Sequence, residues 1–348
     1  TLKGLNAQRA IVGVEPHWSM KGRTSNILIL TNNFLGFEIP SANSPLHHEI
    51  GPILPDTFPG LTPVLDSFLT THSRTIYFAF GTNAIIPPQK VIIILKSFLE
   101  LIDQNVIDGV IWSYGNTDIT NFPHLINSSI PLSTILNNEH PHIHISKHLP
   151  QFAILSHENT KVFLSHGDMN SCHESMYTAT RMLVLPIFDD QHRNTEKLEL
   201  AGIALRLSKI NLQVDDIVSK IKRLLNEEIF KKNAERLQFL AKVNSKRKYR
   251  GADLIEIMMN TVKYKGVKDE NGGFKIDNEN LLSDWITPDT RMCFIRGNYL
   301  DVYGVAFVIF LVLSGGFAYA LLTIVRFFYL RFRSGNGNSQ TSLKPKRE

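Results

Sequence analysis

The chain has 348 residues, 43% of them hydrophobic and 20% charged, which is enough for about two domains with ordinary globular cores. Its formal net charge of +5 is no nucleic-acid signal, because Arg326–Glu348 sets six basic side chains against the single acid Glu348 and leaves 31 basic and 31 acidic residues from the 37 and 32 of the whole chain. The two cysteines, Cys172 and Cys293, lack C-x-x-C spacing, so neither a disulfide framework nor a cysteine metal site is expected.

Residues 1–24 carry no clear pattern. Asn26–Leu30 is a compact apolar run that predicts a strand, and Phe34–Phe68 holds Pro40, Pro45, Pro52, Pro55, Pro59 and Pro63 without periodicity, which reads as a linker. From Thr75 the texture changes. Short β-rich runs at Thr75–Phe80, Val110–Trp112, His142–Ile145, Val162–Ser165, Met182–Leu185 and Ala204–Leu207 predict strands. Between and after them, helices are expected near Gln89–Gln104, Asn170–Tyr177, Thr195–Leu200 and Val214–Leu225. This alternation implies βαβ units, a parallel sheet covered on both faces, and a ligand at the carboxyl ends of the strands.

Phe230–Met259 mixes charged and apolar residues at helical spacing, with Lys242–Arg250 read as a solvated basic face, and Lys263–Asn298 is a polar connection. Val302–Val325 is an uncharged run of 24 residues, longer as a helix than the roughly 30 Å of a bilayer core. It predicts a membrane span. Asp301 precedes it whereas Arg326, Arg331 and Arg333 follow it, so the positive-inside rule puts the C-terminus in the cytosol and the globular part across the membrane. Delivery of that part requires an N-terminal signal, and Thr1-Leu-Lys-Gly-Leu-Asn6 has neither an initiator Met nor an apolar core, so further residues are expected before Thr1. Gly304, Gly315, Gly316, Ala318 and Ala320 leave room for close helix packing, and with it a homo-oligomer. Lys344-Pro-Lys346-Arg-Glu348 resembles a K-x-K-x-x retrieval signal of the endoplasmic reticulum, and Asn127-Ser-Ser129 is a glycosylation sequon consistent with a lumenal domain.

The most informative stretch is His166-Gly-Asp-Met-Asn-Ser-Cys-His-Glu174, followed after Pro186 by Asp190-Gln191. A strand leads into it and a helix out of it, so His166–Met169 forms a strand-to-helix turn where free backbone N–H groups and the positive end of a helix dipole meet, a physical solution for holding phosphate. Ser171-Cys-His-Glu174 is also an S-x-x-E capping box, which explains Ser171 and Glu174 by helix stability alone. Asp190 likewise reads either as a ligand group or as a cap.

Together these motifs resemble the donor-binding signature of the UDP-glycosyltransferases. The resemblance extends to Asn32–Glu38 and Ile50-Gly51-Pro52, to Phe78-Ala-Phe-Gly81-Thr82, to His148-Leu-Pro-Gln151 and to Phe188–Asn194. It implies an α/β fold, the Rossmann-like C-terminal half of a two-domain GT-B architecture, plus one C-terminal transmembrane helix. The implied organisation is a remnant of the N-terminal acceptor domain over 1–40, an interdomain linker over 41–73 and the UDP-sugar-binding domain over 74–262. A juxtamembrane connection (263–301), the membrane helix (302–325) and a basic cytosolic tail (326–348) follow.

By that resemblance His148 and Gln151 meet the uracil, and Glu174 the ribose hydroxyls. His166, Gly167, Asn170 and Ser171 with Gly81 and Thr82 meet the diphosphate, and Asp190 and Gln191 hold the sugar. The implied reaction is transfer of a hexosyl group from a UDP-sugar to a small or lipophilic acceptor, with no cofactor, no metal and no nucleic acid. Gln191 rather than His leans toward glucose. The family's catalytic base lies in its first domain, and none of His47, His48, His157, His166 or His173 matches it, so no catalytic residue is assigned to this chain.

Three departures weaken the donor site. Asp168 stands where the family has a second glycine, His148 where it has a tryptophan, and Ala179-Thr180-Arg181 where it has Gly-Val-Pro. Arg181 is a conjectural partner for the Asp168 charge. Two further readings stay open: a non-catalytic nucleotide-sugar-binding membrane subunit that works with a separate acceptor-binding protein, and a degenerate, non-binding membrane protein.

Overall fold

The computed structural model describes residues 2–14, 16, 27–40, 43–82, 84–119, 122, 132–265, 267–268, 274–275, 282, 284–285 and 292–336. The sequon at Asn127 and the retrieval-like signal at Lys344–Glu348 lie outside these. The chain forms two compact units, one of Ile27–Asp277 and one of Thr1–Asn26 with Asn278–Glu348.

Unit Ile27–Asp277 is built on six strands: β3 (Thr75–Ala79), β4 (Gly109–Ser113), β5 (Ile143–Ser146), β6 (Thr160–Ser165), β7 (Arg181–Val184) and β8 (Ala204–Arg206). Their order is β5-β4-β3-β6-β7-β8, and every neighbouring pair is parallel. The chain starts in the middle at β3, winds outward to β5, and returns to β6 beside β3. The order reverses between β3 and β6, and in such a doubly wound sheet the crevice at the carboxyl ends of these two strands is where ligands bind. Before the sheet, β1 (Ile29–Thr31) and β2 (His47–Glu49) form a separate parallel pair.

Period-two alternation along the strands divides the core. Ile76 and Phe78 of β3 join Val110, Trp112, Val162 and Leu164 on one face, under α3 (Pro88–Asp103) and α8 (Val214–Asn226). Tyr77 and Ala79 join Ile111, Phe163, Met182 and Val184 on the other, under α6 (Met169–Thr178) and α9 (Glu228–Asn244). Because both faces are covered, β3 is buried at all five positions, as a central parallel strand requires.

The boundary expected at residue 40 does not divide the packing. Phe34 and Phe37 belong to the second core cluster, and Lys197 of α7 (Gln191–Leu200) reaches Glu38 Oε2 at 2.6 Å. The expected linker also contains α2 (Pro63–Thr71), whose Leu65 and Leu69 are buried in the same cluster. Pro63 at the first helical turn, where no N–H is needed, starts this helix, and Thr62 Oγ1 accepts from Leu65 N–H at 3.4 Å. The stretch of helical spacing over 230–259 forms two helices, α9 and α10 (Arg247–Lys265). Two short helices not foreseen, α4 (Leu132–Leu136) and α5 (Gln151–Ser156), flank β5.

In the other unit, α1 (Leu2–Ile11) is a short helix and α11 (Phe294–Gly297) leads to α12 (Leu300–Asn336). Leu300–Arg333 has a mean hydropathy of 2.4 over its most apolar window and, among the described residues, is the one helix long and apolar enough to cross a membrane. Both cysteines are free thiols, Cys172 buried and Cys293 exposed.

Where the resemblance implies Gly-Val-Pro after α6, the turn is rebuilt around a left-handed alanine. Ala179 has φ +60° and ψ +26°, and Thr180 N–H donates to Ser175 O at 3.0 Å. The Ser175 and Thr180 hydroxyls donate to Thr180 O and Leu155 O. Only a residue without Cβ adopts this conformation freely. Ala179→Gly is expected to raise stability by about 1 kcal/mol, read as an increase of roughly 2–4 °C in Tm for a domain of this size. An unchanged or lower Tm would show that the hydroxyl network, not the backbone, sets the stability of this turn.

Candidate functional site

The site grows from the loops at the carboxyl ends of β3 and β6. After β6, Ser165 Oγ accepts from Gly167 N–H at 3.2 Å, and Gly167 O accepts from Asn194 Nδ2 at 3.1 Å. Gly167 has φ +85°, and a Cβ built there falls 2.7 Å from Val184 Cγ1, so a side chain at this position would collide with β7. Gly81, after β3, has φ +63° and passes so close to His166 that a Cβ would lie 3.1 Å from its ring carbon Cε1. These two glycines let backbone approach side chain and strand, and the two loops close on His166.

Asp168 is the N-cap of α6. Its φ of −65° and ψ of 154° are extended, and its Oδ2 accepts from Ser171 N–H at 3.4 Å. The cap expected at Ser171 is therefore wrong by three residues. A carboxylate three positions earlier captures the free N–H first, and Ser171 sits inside the first turn with Glu174 one turn on. The helix that was expected over Asn170–Tyr177 accordingly starts at Met169.

Ser171 and Glu174 instead meet a third residue. Gln151 Nε2, at the start of α5, donates to Glu174 Oε2 at 2.8 Å and lies 3.3 Å from Ser171 Oγ. Burial holds the Glu174 carboxyl above its usual range, with Gln151 drawing it back and Asp168 adding to the rise. His148 is exposed on the loop before α5, and Asn170 is exposed on the first turn of α6. Thr82 is also exposed, and its carbonyl accepts from Asn116 Nδ2 at 2.9 Å.

His166 is buried, and its Nδ1 has no hydrogen-bond partner among the described residues. Its Nε2 lies 3.3 Å from Asp168 Oδ1, an ion-pair distance without hydrogen-bond geometry. Burial pushes the imidazole below its ordinary value, against the pull of Asp168 and Asp190, so the ring is neutral near pH 7.

Beyond β7, Asp190 provides no side-chain cap to α7, and its Oδ2 accepts from Asn194 Nδ2 at 2.8 Å. Gln191 is buried, and its Oε1 accepts from the N–H groups of Ile187 and Phe188 at 2.8 and 3.1 Å. Its carbonyl oxygen is thus committed to the loop. Asn194 ties the two halves of the site together, through Gly167 O and Asp190. It was not singled out from the sequence, although its i+4 spacing from Asp190 on a helix was readable.

Arg181 does not neutralise Asp168. It opens β7 at the opposite end of the strand, and its Nη1 donates to Leu224 O at 2.7 Å and Leu225 O at 3.4 Å, covering the last carbonyls of α8. Three of the other histidines are also accounted for by structure. His47 Nε2 lies 2.7 Å from Thr31 Oγ1, His157 Nδ1 accepts from Asn159 N–H, and His173 is fully buried beside Phe34.

A doubly wound parallel sheet, with a glycine turn and a helix N-terminus at its switch point, is an α/β architecture of the class that receives ligands at the carboxyl ends of its strands. The family model described as "UDP-glucoronosyl and UDP-glucosyl transferase" matches residues 24–252, and the chain belongs to that family. It is 34% identical over 312 residues to a UDP-glycosyltransferase of Talaromyces amestolkiae, covering 84% of this chain and 56% of that protein. To the UDP-glycosyltransferase stmC of Aspergillus ustus it is 31% identical over 293 residues, covering 81% and 54%. A solved structure of the glycotransferase of kitacinnamycin has a TM-score of 0.47 at 20% identity, covering 60% of this chain and 49% of that one. The chain spans about half the length of the curated relatives it matches.

His173 is buried on α6 against Phe34, and neither ring nitrogen has a hydrogen-bond partner among the described residues. Burial lowers its pKa to about 4, with Asp168 opposing and Lys197 assisting. Between that value and 6.5, the unfolded chain takes up a proton that the fold refuses. Stability is therefore full above the unfolded value and falls as pH drops toward the folded one, by on the order of 3 kcal/mol. The lowered His166 adds a contribution of the same sign. Urea denaturation of His173→Leu is expected to show a shallower loss of stability across this window than the parent chain. An equal slope in both would remove His173 as its source.

Proposed function

We propose that this chain supplies the donor half of a hexosyl transfer from a UDP-sugar. The observation that carries this reading is the convergence of Gln151, Ser171 and Glu174 through one amide group beside the N-terminus of α6. Residues expected for uracil, diphosphate and ribose arrive from two separate helices at one point. In the proposed arrangement His148 and Gln151 border the base, and the Glu174 carboxylate accepts from two ribose hydroxyls. The N–H groups of the first turn of α6, with His166, Asn170, Ser171 and the Gly81-Thr82 loop, receive the diphosphate. Asp190 and the Gln191 amide border the sugar.

The donor half contributes by offsetting charge. When the glycosidic bond to UDP breaks, negative charge grows on the diphosphate, and preorganised N–H donors with the positive helix end stabilise it without reorganisation. Attack by an acceptor hydroxyl from the opposite face inverts the anomeric carbon and requires a base, to which no described residue is matched. The acceptor proton leaves through the family's other domain. For location, the proposal is a single-pass protein with α12 in the membrane of the endoplasmic reticulum, the sheet unit lumenal and the basic end cytosolic.

Calorimetry of the full chain in detergent with UDP tests the donor reading. Glu174→Ala and Gln151→Ala are each expected to weaken UDP binding roughly tenfold or more, the loss expected when a charged hydrogen bond goes unmade. Absence of UDP binding by the parent chain, or variants that bind as the parent does, would refute the reading.

A further inference from the structure

The N-terminus of α6 already holds an anion. The Asp168 carboxylate receives Ser171 N–H with one oxygen and faces His166 Nε2 at 3.3 Å with the other, and these are two of the groups assigned above to the diphosphate. We propose that Asp168 is an internal competitor of the donor: its carboxylate takes the position proposed for the phosphate, and a nucleoside diphosphate binds only by displacing it. This rests on the donor reading above.

Three observations support displacement over coexistence. First, among the described residues the carboxylate has no cation to neutralise it. Arg181 is engaged with the carbonyls of α8, and the Lys197 ammonium is engaged by Glu38. His166 is kept neutral by burial, and the other acids bordering the turn, Glu174 and Asp190, carry the same sign. A diphosphate placed beside Asp168 therefore meets unscreened like charge in a partly buried setting. Second, the positions are shared. Ser171 N–H belongs to the first turn, where N–H groups lack helix partners, and it serves one acceptor well at a time. His166 is more than nine-tenths buried, and its Nδ1 has no hydrogen-bond partner among the described residues, so the ring keeps polar capacity beyond its contact with Asp168. Third, the carboxylate has a way out. The Asp168 side chain is 32% exposed, against 8% for His166, so rotation toward solvent moves the charge into water while His166 stays in place.

Asp168→Asn separates charge from capping, because asparagine caps a helix as well as aspartate does while carrying no charge. With the full chain in detergent, the Kd for UDP is expected to fall about tenfold in Asp168→Asn, equivalent to about 1.4 kcal/mol. Uridine, which has no phosphate, is expected to bind both proteins equally. Asp168→Gly, which restores bare backbone, is expected to bind UDP at least as tightly as Asp168→Asn despite a lower Tm. If uridine binds but UDP binds Asp168→Asn no better than the parent, the competitor role is wrong and the donor site stands. Weaker UDP binding by the variant would show that the carboxylate helps the donor, and would equally overturn the proposal. Should neither uridine nor UDP bind either protein, the donor reading fails and this inference fails with it.

Discussion

The site depends on the approach of two loops at the point where the sheet reverses direction. β3 and β6 are hydrogen-bonded neighbours, so the loops that leave them are forced together at one edge. Gly167 keeps that edge free of a side chain that would collide with Val184, and Gly81, at positive φ, keeps it free of one that would crowd His166. With the loops closed, α6 begins at a fixed place, and the N–H groups of its first turn, among them Ser171 N–H bonded to Asp168, lack helical partners. Gln151, Ser171 and Glu174 on one side, and Asp190 and Asn194 on the other, are hydrogen-bonded around this one turn.

A chain that keeps this scaffold while placing a carboxylate at its centre sets stability against binding. As N-cap, Asp168 satisfies a donor that would otherwise be exposed, and such caps are worth about 1 kcal/mol. The same group puts negative charge where a diphosphate is expected. The buried neutral imidazoles of His166 and His173 follow a similar logic, since low polarity around the turn strengthens its dipoles but penalises every ionisable side chain placed there. The Lys197–Glu38 pair shows how a charge survives in this setting, by full pairing under the helix.

The sheet was legible because parallel strands buried on both faces leave short, dense apolar runs, and each expected run from Thr75 onward overlaps an observed strand whose ends differ by no more than two residues. α2 was not legible, because proline density marks both linkers and helix starts, and only the burial of Leu65 and Leu69 separates the two. Residues 27–40 looked like part of another domain by resemblance. Phe34 and Phe37 nevertheless complete the core of this one, since no local signal tells which hydrophobic face a short apolar segment will cover.

The amino-acid sequence by itself determined the α/β class, the donor-type motifs and the apolar C-terminal helix, because each depends on residue type and spacing along the chain. Only the tertiary structure decided which of Asp168 and Ser171 caps α6, and that Gln191 spends its carbonyl on the Ile187–Phe188 backbone. It also decided that Arg181 faces α8 instead of Asp168. Each of these is a competition for a hydrogen-bond partner, and its outcome depends on distances between residues that are remote in sequence or turned by a backbone angle that composition does not reveal.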